Sequence, residues 1–502
     1  MTRQSGVLAH ITSLPGPHGI GTLGEDARLF AQALSDAGQH YWQMLPVGPT
    51  GYRDSPYQSP STFAGNPLLI DLNDLVADGL LHGPEIDQLT ALPRDRVSFG
   101  ELMPDKARLL ILAARRFLRR GGDDEYDGFC KTPWLDSYAT FAAIKQSYGG
   151  RSWVEWERGL AMRNPGAIAR ASARLEGRIE VERAIQYLFH RQWEALVNHA
   201  RSLGVALIGD LPIFVAHDSA DVWSRPDLFH LGSDGRPTVV AGVPPDYFAA
   251  TGQRWGNPLY DWAAHRAELY QWWGDRLRAT FARFDMVRID HFRGFVAFWQ
   301  IPASEPTAIN GHWVDGPGIE LFTALQSRIG PMSIIAEDLG IITDEVTNLR
   351  QSFRYPGMRV AQFGFDEEID TAIHHPDNYP PDVVAYTGTH DNDTTRGWFE
   401  TAPPATRRRA LTYLGGSAAE IHRSLLRAAW TSVADLAVAP IQDVLGFDSS
   451  ARLNHPGRGD GNWTWRLRDA DLTRPAAEAL REITEAAGRH RTATGDTDGE
   501  AI

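Results

Sequence analysis

The sequence predicts an α/β fold, a (β/α)8 barrel with inserted, mostly helical subdomains, on the basis of three observations. Short apolar segments recur that are typical of buried parallel strands, because strands covered on both faces are continuously apolar rather than alternating. Helical patterns lie between them, as in successive βα units. Polar and acidic residues follow four of the apolar segments, and the carboxyl ends of the strands are the edge at which a barrel builds its site.

The apolar segments predict seven strands, at 6–11, 41–46, 205–210, 286–290, 333–337, 359–363 and 383–387. Helices are predicted at 25–37, 183–203 and 269–281, where apolar residues return every three or four positions. A doubly wound sheet is the alternative architecture, but no glycine-rich phosphate loop of the usual spacing follows a strand-like segment.

The chain has 502 residues, enough for one large core or for two or three smaller ones. We predict a single barrel unit over residues 1–488, with a helical subdomain inserted at about 74–182. A loop rich in proline, glycine and tryptophan is predicted to be inserted near the site at about 219–262. Residues 489–502 have no apolar periodicity and are predicted to be a disordered tail.

The net charge restricts the classes of binding partner, and the cysteine content and the N-terminal sequence bear on the cellular compartment. The net charge of −14 disfavours nucleic acid and anionic membranes, which repel an acidic chain, and suits a neutral substrate. Cys130 is the single cysteine, so no intrachain disulfide forms. The first residues lack the apolar region of a signal peptide, and no apolar run approaches the roughly 18 residues of a membrane span. These features predict a cytoplasmic protein of undetermined oligomeric state.

Asp290 and Arg288 form the first candidate pair. Both lie at the end of the predicted strand 286–290, two residues apart and therefore on the same side of it. The guanidinium group of Arg288 is placed to keep Asp290 ionised, as a nucleophilic carboxylate requires. Taken alone, the motif is more typical of a structural ion pair than of a catalytic site.

Glu337 is the second candidate, because it leaves an apolar strand whose surroundings raise the pKa of a carboxyl group by desolvation. A raised pKa suits a general acid and base near neutral pH. A carboxylate that caps the following loop is the alternative for Glu337 taken alone.

The segment 385–394 is the third candidate. Its small and hydroxyl residues allow the backbone to approach a ligand, and His390 beside Asp391 offers a donor next to an acceptor, which suits the vicinal hydroxyls of a sugar. A metal site made of His390, Asp391 and Asp393 is the alternative, but the spacing matches no known ligand set. One nucleophilic carboxylate, one acid/base carboxyl and one ligand-holding carboxylate match retaining chemistry at a glycosidic bond.

These motifs, with others along the chain, resemble the 4-α-glucanotransferases, the amylomaltase or disproportionating enzyme family related to the α-amylases. The matching segments include 54–67 (DSPYQSPSTFAGNP), 209–213 (GDLPI), 242–248 (GVPPDYF), 252–258 (GQRWGNP), 288–294 (RIDHFRG), 336–340 (AEDLG), 389–392 (THDN) and 462–466 (NWTWR). The resemblance runs from near residue 5 to near residue 467.

The resemblance implies a barrel without a C-terminal all-β domain, an α-1,4-glucan donor, a glucose or maltodextrin acceptor, and no cofactor or metal. It also implies that Asp290 is the nucleophile, Glu337 the acid and base, and Asp391 the carboxylate that holds the 2- and 3-hydroxyls. Substrate binding is implied for Tyr57, Asp210, Asp246, Gln253, Trp255, Arg288, His291, His390 and Asn462.

Two alternatives to a transferase stay open at this point. The same three carboxylates serve an α-1,4-glucan hydrolase, and a non-catalytic carbohydrate-binding protein is an alternative of another class. The loop at 242–257 favours transfer, because its proline and aromatic residues are suited to cover the cleft, exclude water and stack an acceptor sugar.

Overall fold

The computed structural model of the protein describes residues 3–245, 250–366, 371–471 and 473–490. Within these ranges the strands are β1 (Gln4–Leu8), β2 (Tyr41–Gln43), β3 (Ala206–Pro212), β4 (Val239–Val243), β5 (Gln253–Pro258), β6 (Met286–Asp290), β7 (Ala297–Pro302), β8 (His312–Asp315), β9 (Ile334–Ala336), β10 (Gly357–Val360), β11 (Val383–Tyr386) and β12 (Leu436–Pro440).

The α-helices of the same ranges are α1 (Glu25–Asp36), α2 (Leu72–Ala77), α3 (Gly83–Ile86), α4 (Phe99–Arg119), α5 (Asp124–Phe129), α6 (Leu135–Ser147), α7 (Arg158–Ala161), α8 (Pro165–Ser202), α9 (Ala220–Ser224), α10 (Arg266–Phe281), α11 (Gly318–Ile329), α12 (Asp344–Ser352), α13 (Thr371–His374), α14 (Thr395–Thr401), α15 (Pro404–Leu414), α16 (Ile421–Thr431), α17 (Ile441–Leu445) and α18 (Arg474–Ala486). Every helix in this described part of the chain is too short or too polar to span a membrane.

Eight parallel strands form a nearly closed barrel in the order β10-β11-β12-β1-β2-β3-β6-β9. The amide of Ala336, at the end of β9, donates to the carbonyl of Pro356, just before β10, at 2.9 Å and brings the two edge strands together. The predicted barrel is thereby confirmed, and each of the seven predicted strands overlaps one of its strands. The eighth strand, β12, was not predicted.

Along each barrel strand, successive side chains point alternately into the barrel and outward to the surrounding helices. On β3, Leu207 and Leu211 pack in the large outer core, whereas Ile208 joins a separate buried cluster with side chains from five other barrel strands. Asp210 is two residues beyond Ile208 and therefore shares its inward direction. The strand geometry thus turns the side chain of Asp210 towards the axis at the carboxyl end.

The segment between β2 and β3 contains helices α2 to α8 and no strand, and it includes the predicted helical insertion at 74–182. Helix α8 begins at Pro165, 18 residues before the predicted start at 183. Asn164 caps it by accepting the amides of Gly166 and Ala167, at 3.1 and 3.2 Å. Ala167 and Ala171 bury one face of the early turns, but the intervening charged residues make this half less apolar in sequence.

The second insertion, at 219–262, is more regular than the predicted loop. It contains α9 and the strands β4 and β5, which join β7 and β8 in an antiparallel sheet of order β5-β4-β7-β8. Pairing with β7, outside the insertion, satisfies the backbone of β4, which the local sequence does not reveal. This sheet carries Gln253 and Trp255 on β5.

The end of the barrel unit also differs from the prediction. Arg489, placed by the sequence in a disordered tail, is fully buried and donates to backbone carbonyls around the start of the barrel. The remaining tail residues after 490 lie outside the described part of the chain.

Candidate active site

Side chains from four strand ends meet at one rim of the barrel. Asp210 lies on β3, Asp290 ends β6, Glu337 follows β9, and His390 with Asp391 follows β11. β3, β6 and β9 are neighbours in the sheet, whereas β11 lies beyond the closure between β9 and β10. The barrel therefore brings together residues that are up to 181 positions apart (Asp210 to Asp391) in sequence.

Arg288 is the cation at the centre of this rim. Its Nη1 donates to both carboxylate oxygens of Asp210, at 2.9 and 2.8 Å, and its Nη2 donates to Asp290 Oδ1 at 2.9 Å. Burial alone would lower the pKa of Arg288, but Asp210 and Asp290 together hold that pKa well above its ordinary value. The guanidinium group therefore stays charged and holds the side chain of Asp290 by an ion pair.

The two carboxylates bound by Arg288 differ in exposure. The side chain of Asp210 is 0% exposed, whereas that of Asp290 is 33% exposed. Of the two, only Asp290 presents its carboxylate to the cleft, and Asp210 lies behind Arg288.

Glu337 is held by the backbone of two loops. The amide of His291 donates to Oε2 at 2.7 Å, and the amide of Leu339 donates to Oε1 at 2.9 Å. His291 reaches this position in the left-handed region, with φ of 56°. Burial raises the pKa of Glu337 to about 7 and the charge of Asp290 adds to the rise, while Arg288 and the two amides oppose it. Near neutral pH this carboxyl group exchanges a proton readily.

Tyr57 connects Asp210 to His390, which lies across the rim. Its hydroxyl donates to Asp210 Oδ2 at 2.8 Å and lies 2.8 Å from Nε2 of His390. That Nε2 is also 3.3 Å from Asp391 Oδ1. Because the Tyr57 proton goes to Asp210, the hydrogen bond with His390 requires its Nε2 to carry the proton. The side chain of Asp391 itself is 46% exposed.

His291 and β5 form another wall. The ring of Trp255 meets that of His291 edge to face with centroids 4.8 Å apart, and the indole N–H of Trp255 donates to Gln253 Oε1 at 3.1 Å. Burial lowers the pKa of His291 to about 4 against the opposing effect of Asp290, so its imidazole is neutral at pH 7. A neutral imidazole can donate a hydrogen bond to a sugar hydroxyl or accept one from it.

Asn454 and Trp463 belong to the rim but were not identified from the sequence. Asn454 Nδ2 donates to Asp391 Oδ1 at 2.5 Å. The ring of Trp463 lies 5.8 Å from Tyr57 and 6.0 Å from His390, between centroids. Trp463 lies within the matching segment 462–466, so the sequence did contain a signal by which it could have been identified.

The amide group of Asn462, another predicted binding residue, hydrogen-bonds within its own loop. Asn462 accepts the amide of His455 at 2.9 Å and donates to the carbonyl of Arg458 at 3.1 Å, so its amide group shapes its own loop. Asp246 lies outside the described residues.

The alternative metal site made of His390, Asp391 and Asp393 has a different arrangement. The carboxylate of Asp393 accepts the Ser449 hydroxyl at 2.7 Å and the amide of Thr394 at 2.8 Å. Among the described residues, no group of three or more histidine, cysteine or acidic side chains is placed to share a metal ion.

Comparison with known proteins covers almost the whole chain. The 4-alpha-glucanotransferase family model matches residues 9–473. The chain is 47% identical to the 4-alpha-glucanotransferase of Thermus thermophilus over 502 residues, covering 97% of this chain and 99% of the relative. It is 43% identical to the chloroplastic/amyloplastic 4-alpha-glucanotransferase of Solanum tuberosum, covering 97% and 86%.

A solved structure agrees with the same relationship. The amylomaltase from Streptococcus agalactiae in complex with acarbose matches with a TM-score of 0.94 and 36% identity, over 97% of this chain and 100% of that one. The resemblance and the fold predicted from the sequence are both confirmed.

Proposed function

The chain belongs to the 4-alpha-glucanotransferase family, and we propose that Asp290, Glu337 and Asp391 carry its reaction by a retaining double displacement. The observation that carries this assignment is the contrast between two neighbouring carboxyls. Asp290 is bound by the charged Arg288, whereas burial raises the pKa of Glu337 to about 7. A carboxylate paired with an arginine is suited to act as the nucleophile, and a carboxyl group with a pKa near 7 is suited to act as the acid and base.

In the first step a carboxylate oxygen of Asp290 attacks the anomeric carbon of the donor glucan. The bond from that carbon to the O4 atom of the next sugar breaks, and Glu337 gives its proton to the departing oxygen. The product is a glycosyl ester on Asp290 together with a shorter glucan that leaves the site.

In the second step the 4-hydroxyl of an acceptor sugar attacks the same anomeric carbon from the face that the first glucan left. Glu337 takes the hydroxyl proton, the ester bond to Asp290 breaks, and the carboxylate is restored. Two inversions retain the α configuration, and the number of glycosidic bonds is unchanged.

The remaining rim residues bind the sugar that reacts. We assign the 2- and 3-hydroxyls to Asp391, which His390 and Asn454 orient. Tyr57 and His291 surround the ring, Arg288 fixes Asp290, and Asp210 is a positioning residue behind Arg288 and Tyr57. Gln253 and Trp255 form the neighbouring subsites, to which Asp246 and Asn462 are also assigned on the resemblance alone.

The hydrolase alternative differs only in which hydroxyl reaches the ester on Asp290. Trp255 stands against His291, next to Asp290, and offers a flat apolar face for an acceptor sugar. Water that is displaced from this face does not compete for the ester, which favours transfer. A cytoplasmic location is proposed on the single cysteine, which makes the fold independent of intrachain disulfides.

Incubation of the full chain with maltotriose alone, without added metal, tests the proposal. We expect glucose together with longer maltodextrins and almost no gain in reducing ends, since each transfer conserves glycosidic bonds. A gain in reducing ends with shorter products only would identify a hydrolase. Unchanged maltotriose would support the non-catalytic alternative.

A further inference from the structure

A second cavity of about 920 Å³ lies between the inserted helices and the barrel. Helices α5, α6 and α8 form one side of it, and α9 and α10 form the other. Its volume falls in the range of about 300–1,000 Å³ that is usual for small-ligand sites. The mechanism above makes no use of this space, and the catalytic carboxylates are not among its lining residues.

The cavity has aromatic walls. The rings of Phe63 and Trp134 stack with centroids 6.3 Å apart, and those of Phe129 and His190 stack at 4.9 Å. Phe129 and Trp134 are only half buried, so part of each ring remains accessible. Flat apolar rings of this kind pack against the C–H faces of sugars, and their edges leave polar groups within reach of the ligand.

The charges around the cavity balance. Four arginines and four carboxylates line it. Three of the four arginines are paired: Arg278 contacts Asp275 at 2.5 Å, and two further lining arginines bind carboxylates just outside the cavity. Arg283 donates to the carbonyl of Phe63 at 2.5 Å. A balanced lining does not select a strong anion or cation, but it offers the many donors and acceptors that a neutral polyhydroxyl ligand needs.

Trp193 closes the wall of the cavity on the side of the barrel. It is 2% exposed, and its ring stacks on Phe189 with centroids 6.0 Å apart and meets Phe284 edge to face at 5.3 Å. The aromatic lining is therefore backed by packed side chains rather than by solvent.

We propose that this cavity is a second site for α-1,4-glucan, which holds a distant part of a long donor or acceptor chain. The ligand class rests on the proposed function. Ser61 and Phe63 line the cavity and lie four and six residues after Tyr57, on the same loop. A chain held there raises the effective concentration of its other end at the rim, which benefits long glucans and not short ones.

Gly128→Trp is the sharpest test, because Gly128 lines the cavity and a Cβ added there meets no atom within 4 Å. The new side chain occupies the cavity without removing a native contact. Gly177→Trp is the matched control, since Gly177 is also an exposed, uncrowded helical glycine of the insertion but does not line the cavity. Phe129→Ala is a second variant, which removes an aromatic wall instead of filling the space.

Activity is measured with maltotriose and with amylose. For Gly128→Trp and Phe129→Ala we expect unchanged turnover of maltotriose and a KM for amylose raised about fivefold or more. Gly177→Trp should match the parent chain with both donors. An unchanged KM for amylose in Gly128→Trp, or an equal rise in Gly177→Trp, overturns the proposal.

Binding of maltoheptaose by calorimetry separates this proposal from the catalytic one. The Glu337→Gln chain, in which turnover is blocked, should bind two maltoheptaose molecules, and Glu337→Gln with Gly128→Trp should bind one. Retention of both sites in the double variant overturns the second site while leaving the reaction intact. Failure of the parent chain to disproportionate maltotriose overturns the proposed function instead, whatever the cavity binds.

Discussion

At the scale of single residues, the pH dependence of the reaction rests on Glu337. Its proton is needed in the first step, and burial raises its pKa to about 7, beyond the ordinary value of 4.5. Above that pH the protonated fraction falls about tenfold per pH unit. We therefore expect kcat/KM with maltotriose to decline above about pH 7, and Glu337→Gln to lower kcat by about 10²- to 10⁴-fold.

An α-maltosyl fluoride donor provides the control for this assignment, because fluoride leaves without being protonated. The burst of fluoride release from Glu337→Gln should approach that of the parent chain, while the following transfer remains slow. If Glu337→Gln retains the decline above pH 7 with maltotriose, another group is the acid.

Asn454 is predicted to act through Asp391. Hydrogen bonds to a charged group contribute about 1.5–3 kcal/mol, so loss of the 2.5 Å bond in Asn454→Ala should lower kcat by about 10- to 100-fold. KM for maltotriose should change little, because the orientation of Asp391 matters most in the distorted transition state. Asn454→Asp should be worse, since it places a second carboxylate against Asp391.

Ser450→Ala is the control for Asn454, because Ser450 is exposed and its hydroxyl binds Asp448 a short distance along the same segment. Steady-state kinetics and a thermal melt should find this variant unchanged. A fall in melting temperature for Asn454→Ala without the selective loss of kcat would make Asn454 a structural residue only.

The candidate site was predictable to the extent that its residues stand at strand ends. Asp290, Glu337 and Asp391 each follow an apolar segment, and the barrel geometry makes such ends converge. Asn454 has no comparable signal, because it lies in an irregular loop after α17 and reaches Asp391 only through the fold. The neutral state of His291 likewise depends on burial that only the assembled rim creates.

At the scale of secondary-structure elements, the parallel strands were predictable because burial on both faces makes them continuously apolar. β12 has the same character, with all five residues buried, but its small alanines give a weaker apolar signal than the branched side chains of β6 or β11. β5 was missed for a different reason. Its first residues are exposed, and its pairing partner β4 is a separate segment, so neither periodicity nor local turn chemistry predicted it.

Trp255 on β5 is the element-scale test of transfer against hydrolysis. Trp255→Ala removes the ring that stands 4.8 Å from His291, opens the cleft to water and should raise the ratio of hydrolysis to transfer severalfold. The ratio is read from the reducing ends gained per glucose released from maltotriose. Trp398→Ala, on α14, changes another half-buried tryptophan and should leave the ratio unaltered. An unchanged ratio in Trp255→Ala would remove β5 from the explanation.

At the scale of the whole molecule, the barrel depends on contacts between the two ends of the chain. β1 pairs with β12 and with β2, so the first strand completes a sheet whose other members extend to Pro440. Arg3 donates to the carbonyls of Ser432 and Ala487, at 2.7 and 2.6 Å. Such long-range contacts are absent from any local sequence pattern, which is why the predicted boundary of the unit stopped at 488.

Arg489 is predicted to be a main stabilising contact of this closure. It is fully buried and donates to the carbonyls of five residues, Gln4, Trp430, Ser432, Ala434 and Asp435. Arg489→Ala removes a donor from each of these five carbonyls, and we expect it to lower the free energy of unfolding by about 3 kcal/mol or more. Thermal and urea unfolding measure the change.

Two comparisons decide whether Arg489 has this role. Arg481→Ala removes an exposed arginine that pairs with Glu485 on α18, and such surface pairs contribute little, so its unfolding should match the parent chain. A chain shortened to residue 490 should also unfold like the parent, whereas a chain shortened to residue 488 should unfold like Arg489→Ala. If the chain ending at 488 is as stable as the chain ending at 490, the barrel closes without Arg489 and the boundary predicted from the sequence is the correct one.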